Sequence, residues 1–213
     1  MRLFPFIIPQ FFNKLFGKLV WELENTPSNK IYLTFDDGPH PVITPWVLDI
    51  LATYNAKATF FVVGQNAEKN PQILQRIIEE GHALGNHTDH HLSGYNCRTK
   101  DYIADVKRCQ QYTQTDLFRP PYGRIKRSQV KQLNKTFQIV MWNQLSGDFY
   151  KNLDIEKSLQ ALRLHTKKGN IVVFHDSQKS FENLKLLLPA YLNSLKEQGF
   201  SSIVIPHKKG IIF

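Results

Sequence analysis

From Lys30 onward, short β-prone apolar runs alternate with amphipathic runs of helical length, and this alternation constrains the fold more than any other feature. Strand-like residues 31–35 precede helix-like 44–54, and 58–63 precede 71–80. Helical 100–115, strand 117–119, helical 128–135 and strand 137–142 follow. Helical 154–167, strand 170–174, helical 183–198 and strand 202–205 complete the series. A repeated strand–helix order predicts a parallel sheet or barrel, because each helix carries the chain back across the sheet. At 213 residues, 42% hydrophobic and 21% charged, the chain is long enough to bury a core without disulfides and too apolar for disorder. One α/β domain over residues 30–213 is expected, with no internal repeat or interdomain linker.

The first apolar run drives into two acids: Thr34-Phe35-Asp36-Asp37-Gly38-Pro39-His40. Adjacent carboxylates repel, so a pair at a half-buried strand end calls for a cation or another partner. On a regular strand they would point to opposite faces. For both to serve one site the strand must end at Asp36, and Gly38-Pro39 supplies the turn.

A second cluster reads Gly85-Asn86-His87-Thr88-Asp89-His90-His91. The four-residue spacing of His87 and His91 would put both imidazoles on one side of a helical turn. Thr88 stands where a zinc-protease helix needs Glu, which disfavours that pattern. His90 is expected to point elsewhere. With Asp37 as a third ligand the set leaves a coordination position open, the mark of a catalytic rather than a structural metal site.

Three further segments lie in order: Phe118-Arg119-Pro120-Pro121-Tyr122-Gly123, Ser146-Gly147-Asp148-Phe149 after an apolar strand, and Ile171-Val172-Val173-Phe174-His175-Asp176. Together the five segments resemble the motifs of the polysaccharide deacetylase family, the NodB-like carbohydrate esterases of family 4, from about residue 30 to residue 199. The resemblance implies a distorted, incomplete (β/α) barrel with about seven parallel strands. It implies Asp37, His87 and His91 as ligands of a divalent metal, usually zinc, with cobalt or another divalent ion as alternatives. It implies Asp36 as catalytic base, Arg119 as the residue that orients it, and the Tyr122 backbone N–H as an oxyanion donor. His175 matches the catalytic acid, and Asp148 the carboxylate that supports it. The expected activity is metal-dependent removal of acetyl groups, most readily N-acetyl from an amino-sugar glycan such as chitin or peptidoglycan. An O-acetyl carbohydrate esterase and a non-catalytic glycan-binding protein are the alternatives.

The chemistry asks for the same set. An acetamide is a poor electrophile, so its carbonyl must be polarised and the attacking water deprotonated. The oxyanion needs a donor, and a sugar amine must be protonated to leave. Two positions depart from the family pattern: Leu145 replaces the first acid around the fourth motif, and Phe149 replaces a Trp. Phe149 keeps an apolar wall but loses an N–H donor, which bears on substrate fit.

Residues 1–29 are expected to form a separate N-terminal element. Phe12, Leu15, Phe16, Leu19 and Leu23 repeat at helical spacing, which predicts an amphipathic helix packed on the barrel or resting on a membrane surface. Pro5 and Pro9 interrupt any signal-like run, no small-residue cleavage site follows, and Asn13, Lys14 and Lys18 break a membrane span. A cytoplasmic or membrane-surface location is the corresponding expectation. Net charge is 27 − 18 = +9, which favours acidic glycans or anionic lipid headgroups, while the scattered lysines and lack of a motif speak against nucleic acid. Cys97 and Cys109 fit neither a Cys-x-x-Cys pair nor a disulfide framework and read as free thiols.

Overall fold

A computed structural model describes residues 19–207. Its strands are β1 (Lys30–Asp36), β2 (Ala58–Val62), β3 (Ala83–Asn86), β4 (Leu117–Phe118), β5 (Gln138–Ile139), β6 (Gln144–Leu145), β7 (Ile171–His175) and β8 (Ser201–Ser202). The helices are α1 (Ile43–Thr53), α2 (Gly64–Lys69), α3 (Pro71–Glu79), α4 (Thr99–Thr113), α5 (Arg127–Leu133), α6 (Ile155–His165) and α7 (Phe181–Glu197). Seven strands follow the order β5-β4-β3-β2-β1-β7-β6, and β8 pairs with β1 beside this path. Every ladder among them is parallel. Among the described residues no ladder joins β5 to β6, so the sheet curls into an open half-barrel, as the expected incomplete (β/α) barrel requires.

Period-two alternation in β1 builds both layers. Ile31, Leu33 and Phe35 face outward into the main core, against Val47, Leu48 and Leu51 of α1, Ile77 of α3 and Leu188 of α7. Each such fully buried large side chain contributes about 1.5–3 kcal/mol. Tyr32 faces the barrel interior with Phe61, Leu117, Val140 and Ile171. Thr34 and Asp36 continue that inward row, so the acid closing β1 belongs to the barrel mouth. Local signals set the helix starts: Pro71 opens α3, and the Asp154 carboxylate caps α6 by accepting from Lys157 N–H at 3.1 Å.

Away from the histidine cluster, the structure differs from the sequence reading in four places. Strand β3 escaped notice because Ala83-Leu84-Gly85-Asn86 has no β-branched residue; it is a strand through pairing with β2. The short helix α2 was likewise unmarked. The expected strand 137–142 holds only β5, and the chain forms a separate β6 that pairs with β7. Residues 1–18 lie outside the described residues, and with them most of the expected N-terminal helix. Its last turn is not helical: Val20 bridges Val140 just after β5, and Glu22 bridges Asn170 just before β7, so backbone pairing replaces the helix. Among the described residues no helix is long and apolar enough to cross a membrane. Cys97 and Cys109 are free thiols, as expected.

Candidate active site

The site lies at the C-terminal ends of the strands. β1 ends at Asp36, and Asp37 adopts φ 83°, so the chain turns immediately and the two carboxylates do not fall on opposite faces of a strand. Asp36 is the register partner of His175 on β7, which brings a carboxylate and an imidazole to neighbouring strand ends.

Asp37 Oδ1 lies 3.1 Å from His91 Nε2 and 3.8 Å from His87 Nε2. Two donors bound to one zinc-sized ion at roughly 2 Å each, near a tetrahedral angle, sit about 3.3 Å apart. His87 Nδ1 lies 2.8 Å from the Arg119 backbone oxygen. A carbonyl can only accept, so Nδ1 carries the proton and Nε2 presents its lone pair towards Asp37. Burial pushes His87 down to about 4, which keeps the ring neutral. Burial alone would raise Asp37, but the His91 hydrogen bond and the nearby charge of His175 hold it well below the ordinary carboxylate range. Two neutral-capable imidazoles and one ionised carboxylate, with ligand atoms within 4.8 Å of one another, fit a divalent ion.

The two histidines do not share a helix. Residues 87–91 form a loop in which Thr88 has φ 65° and His91 φ 53°, and these left-handed residues swing both rings inward. Asp105 on α4 holds that loop, a role the sequence reading missed. Its Oδ2 accepts the backbone N–H of both Asp89 and His90 at 3.0 Å, and its Oδ1 pairs with His90 Nδ1 at 2.7 Å. His90 therefore points away from Asp37, as expected. Asp89, His90 and Asp105 also bring ligand-type atoms together. There, however, Arg108 already donates to Asp105 at 2.6 Å and reaches Asp89 at 3.4 Å, so the protein supplies its own cation.

Arg119 is fully buried. Its Nη1 donates to Asp36 Oδ1 at 2.6 Å and to Thr34 Oγ1 at 2.7 Å. Nη2 donates to the Met141 carbonyl at 3.0 Å, and Nε to Val140 at 3.3 Å. The guanidinium carbon lies 4.1 Å from the centroid of the Phe61 ring. Burial lowers the Arg119 pKa while the Asp36 charge opposes the fall. The Nη1–Oδ1 contact sets a cation beside Asp36 and fixes the position of that oxygen. Thr34 was not singled out beforehand, although its place two residues before Asp36 puts it on the same strand face.

Asp148, also fully buried, grips His175 at two points. Oδ1 lies 2.8 Å from Nδ1, and Oδ2 accepts the His175 backbone N–H at 2.7 Å. Burial would lower His175, but the charge and hydrogen bond of Asp148 outweigh it and raise the imidazole to about 9. Nδ1–H is thereby committed to Asp148, and the other nitrogen is left to deliver a proton. The Phe149 ring stands edge-on to His175 at 5.1 Å. Tyr122 has φ 60° in the turn after β4, and its exposed ring lies 4.7 Å from that of His91.

Asp176, the residue after His175, is buried and built into the frame. It accepts from Gly38 N–H at 3.1 Å and from Thr44 Oγ1 at 2.5 Å. It thus ties the turn carrying Asp37 to β7. Burial pushes its carboxyl up to about 7, the Asp37 charge adding to the rise.

An open half-barrel whose strand ends gather a triad able to take a divalent ion, a buried carboxylate paired with an arginine, and an imidazole held by a second carboxylate has the make-up of a hydrolase site. The chain belongs to the polysaccharide deacetylase family, whose model matches residues 23–140. It is 33% identical to a peptidoglycan-N-acetylglucosamine deacetylase of Bacillus cereus over 197 residues, which cover 89% of this chain and 92% of that relative. It is 33% identical to a chitooligosaccharide deacetylase of Sinorhizobium fredii over 160 residues, 71% of this chain and 74% of the relative. Among solved structures, a peptidoglycan N-acetylglucosamine deacetylase in complex with 4-naphthalen-1-yl-N-oxidanyl-benzamide superposes with a TM-score of 0.78 at 30% identity, covering 93% of this chain and 95% of that one. The protein is therefore a carbohydrate deacetylase with the fold of carbohydrate esterase family 4.

Proposed function

We propose that the chain hydrolyses the N-acetyl group of N-acetylglucosamine units within a glycan of the peptidoglycan or chitin type, using a divalent ion, zinc foremost, held by Asp37, His87 and His91. The observation that carries this reading is the Arg119–Asp36 contact beside the triad, because it sets a cation against a buried carboxylate and gives it the aim of a general base. When bound, the ion supplies polarisation of the acetamide carbonyl and acidifies the attacking water.

The side chains do the rest. Asp36 accepts a proton from water as its oxygen bonds to the acetyl carbon. The Tyr122 N–H is assigned to the oxygen that gains charge. His175 then gives its proton to the sugar nitrogen as the carbon–nitrogen bond breaks, releasing acetate and a free amine. Asp148 keeps His175 in the donating tautomer throughout. The amide substrate is favoured over an ester because an amine leaving group needs that proton more than an alcohol does, and the His175–Asp148 pair is complete.

Acetate release from N-acetylated chitooligosaccharides, peptidoglycan glycan strands and acetylated xylan tests the reading. The wild-type chain, supplied with zinc or cobalt, should release acetate from the first two, and Asp36→Asn should lose at least about a hundredfold in kcat. Release from acetylated xylan alone would replace the amidase with an esterase. Glycan binding without any release would replace both with a binding protein.

A further inference from the structure

We infer that the cavity on the His91 side of the site is a subsite for a carboxylate carried by a sugar adjacent to the one losing its acetyl group. The inference rests on the deacetylase reading and names the substrate class more closely. The cavity encloses about 330 Å³ and is lined by His91, Ser93, Asn96, Tyr122 and Arg124 among others, so it opens directly beside an ion-holding imidazole. Its size suits one sugar substituent rather than a long stretch of chain.

Three features of its wall point to an anion. Arg124 is exposed and forms no ion pair among the described residues, whereas Arg98 and Arg108 each hold an aspartate. Its guanidinium lies 6.0 Å from the centroid of the Tyr122 ring, which in turn lies 4.7 Å from His91. The tyrosine ring, 62% exposed, thus spans from the reaction centre to the cation and offers a sugar a flat face. No Asp or Glu lines the cavity. The Arg124 guanidinium fork and Asn96 give the wall donors that pair more strongly with a carboxylate than with a neutral sugar hydroxyl. The net charge of +9 draws the same class of polymer.

The test compares three oligosaccharides of equal length. One is neutral chitotetraose. The second alternates N-acetylglucosamine with N-acetylmuramic acid bearing free lactyl carboxylates. The third is the second with its carboxylates converted to methylamides. Calorimetric binding is measured with zinc-loaded Asp36→Asn, and kcat/KM with the active chain. The carboxylate oligomer should bind about tenfold more tightly than its amide, with a gap that shrinks as salt is added. Introducing Arg124→Ala or Arg124→Gln should reduce the gap to less than about twofold. Equal binding of carboxylate and amide by the parent chain, or a gap that survives Arg124→Ala, overturns the subsite. If no oligomer loses acetate yet the Arg124-dependent gap appears, the subsite stands and the deacetylase reading alone falls.

Discussion

Asp148 holds His175 by both of its oxygens, one on the ring Nδ1 at 2.8 Å and one on the backbone N–H at 2.7 Å. One buried carboxylate thereby fixes the ring, its tautomer and the strand end that carries it. It also raises the imidazole to about 9 against the pull of burial, so the acid stays charged across the neutral range.

The sign of the pH dependence follows. A proton donor raised to about 9 works below that pH and fails as pH climbs through it. In Asp148→Asn the charge that sustains the shift is gone, so the alkaline limb of kcat should move down towards the ordinary histidine value of 6.5. A pH profile of kcat for both proteins checks this, and an unmoved limb contradicts it.

Arg119 makes four hydrogen bonds, to Asp36, Thr34, Val140 and Met141, while fully buried. Arg119→Met leaves the Asp36 charge buried beside an apolar side chain, so stability should fall by about 3–5 kcal/mol. Arg119→Lys keeps the charge but cannot reproduce the fork, so kcat should fall with a smaller loss of stability. Urea midpoints together with initial rates separate the two effects.

Gly38 has no room for a side chain. A Cβ there would lie 2.0 Å from Asp176 Oδ2, and that carboxylate is pinned by Thr44 and by the Gly38 N–H itself. Gly38→Ala should therefore displace the turn that carries Asp37, costing about 1–3 kcal/mol and lowering ion affinity together. Relief of both losses by Asp176→Gly in the same chain would locate the clash.

Asp105 acts on the ion site without touching it. Burial would raise its carboxyl, but hydrogen bonds from His90 and Arg108 hold it below the ordinary value. In Asp105→Leu the Asp89 and His90 amides lose their acceptor, so both should exchange with solvent faster, and ion affinity should drop about 10–100-fold. Hydrogen exchange at those two amides reads the loop independently of turnover.

Much of this was legible in the sequence because the chemistry sits in local runs. The strand-to-acid junction at Asp36 and Asp37, the Arg119 turn and the His175 strand end each declare themselves within a few residues. The contacts that cross the fold did not. Asp105 and Asp176 look like ordinary helix and turn acids until α4 packs on the histidine loop and β7 lies beside β1. The His87–His91 spacing suggested a helix, yet the convergence comes from left-handed residues at Thr88 and His91, whose side chains carry no such signal. β3 is a strand by its neighbours rather than by composition.

The central claim is that Asp37, His87 and His91 together hold one divalent ion. Zinc titration against a chromophoric chelator tests it most directly, with the wild-type chain beside Asp37→Ala and His91→Ala. One tight site per chain is expected, weakened by at least about a hundredfold in either variant while the urea midpoint holds. Zinc affinity that is the same in all three proteins would contradict the claim.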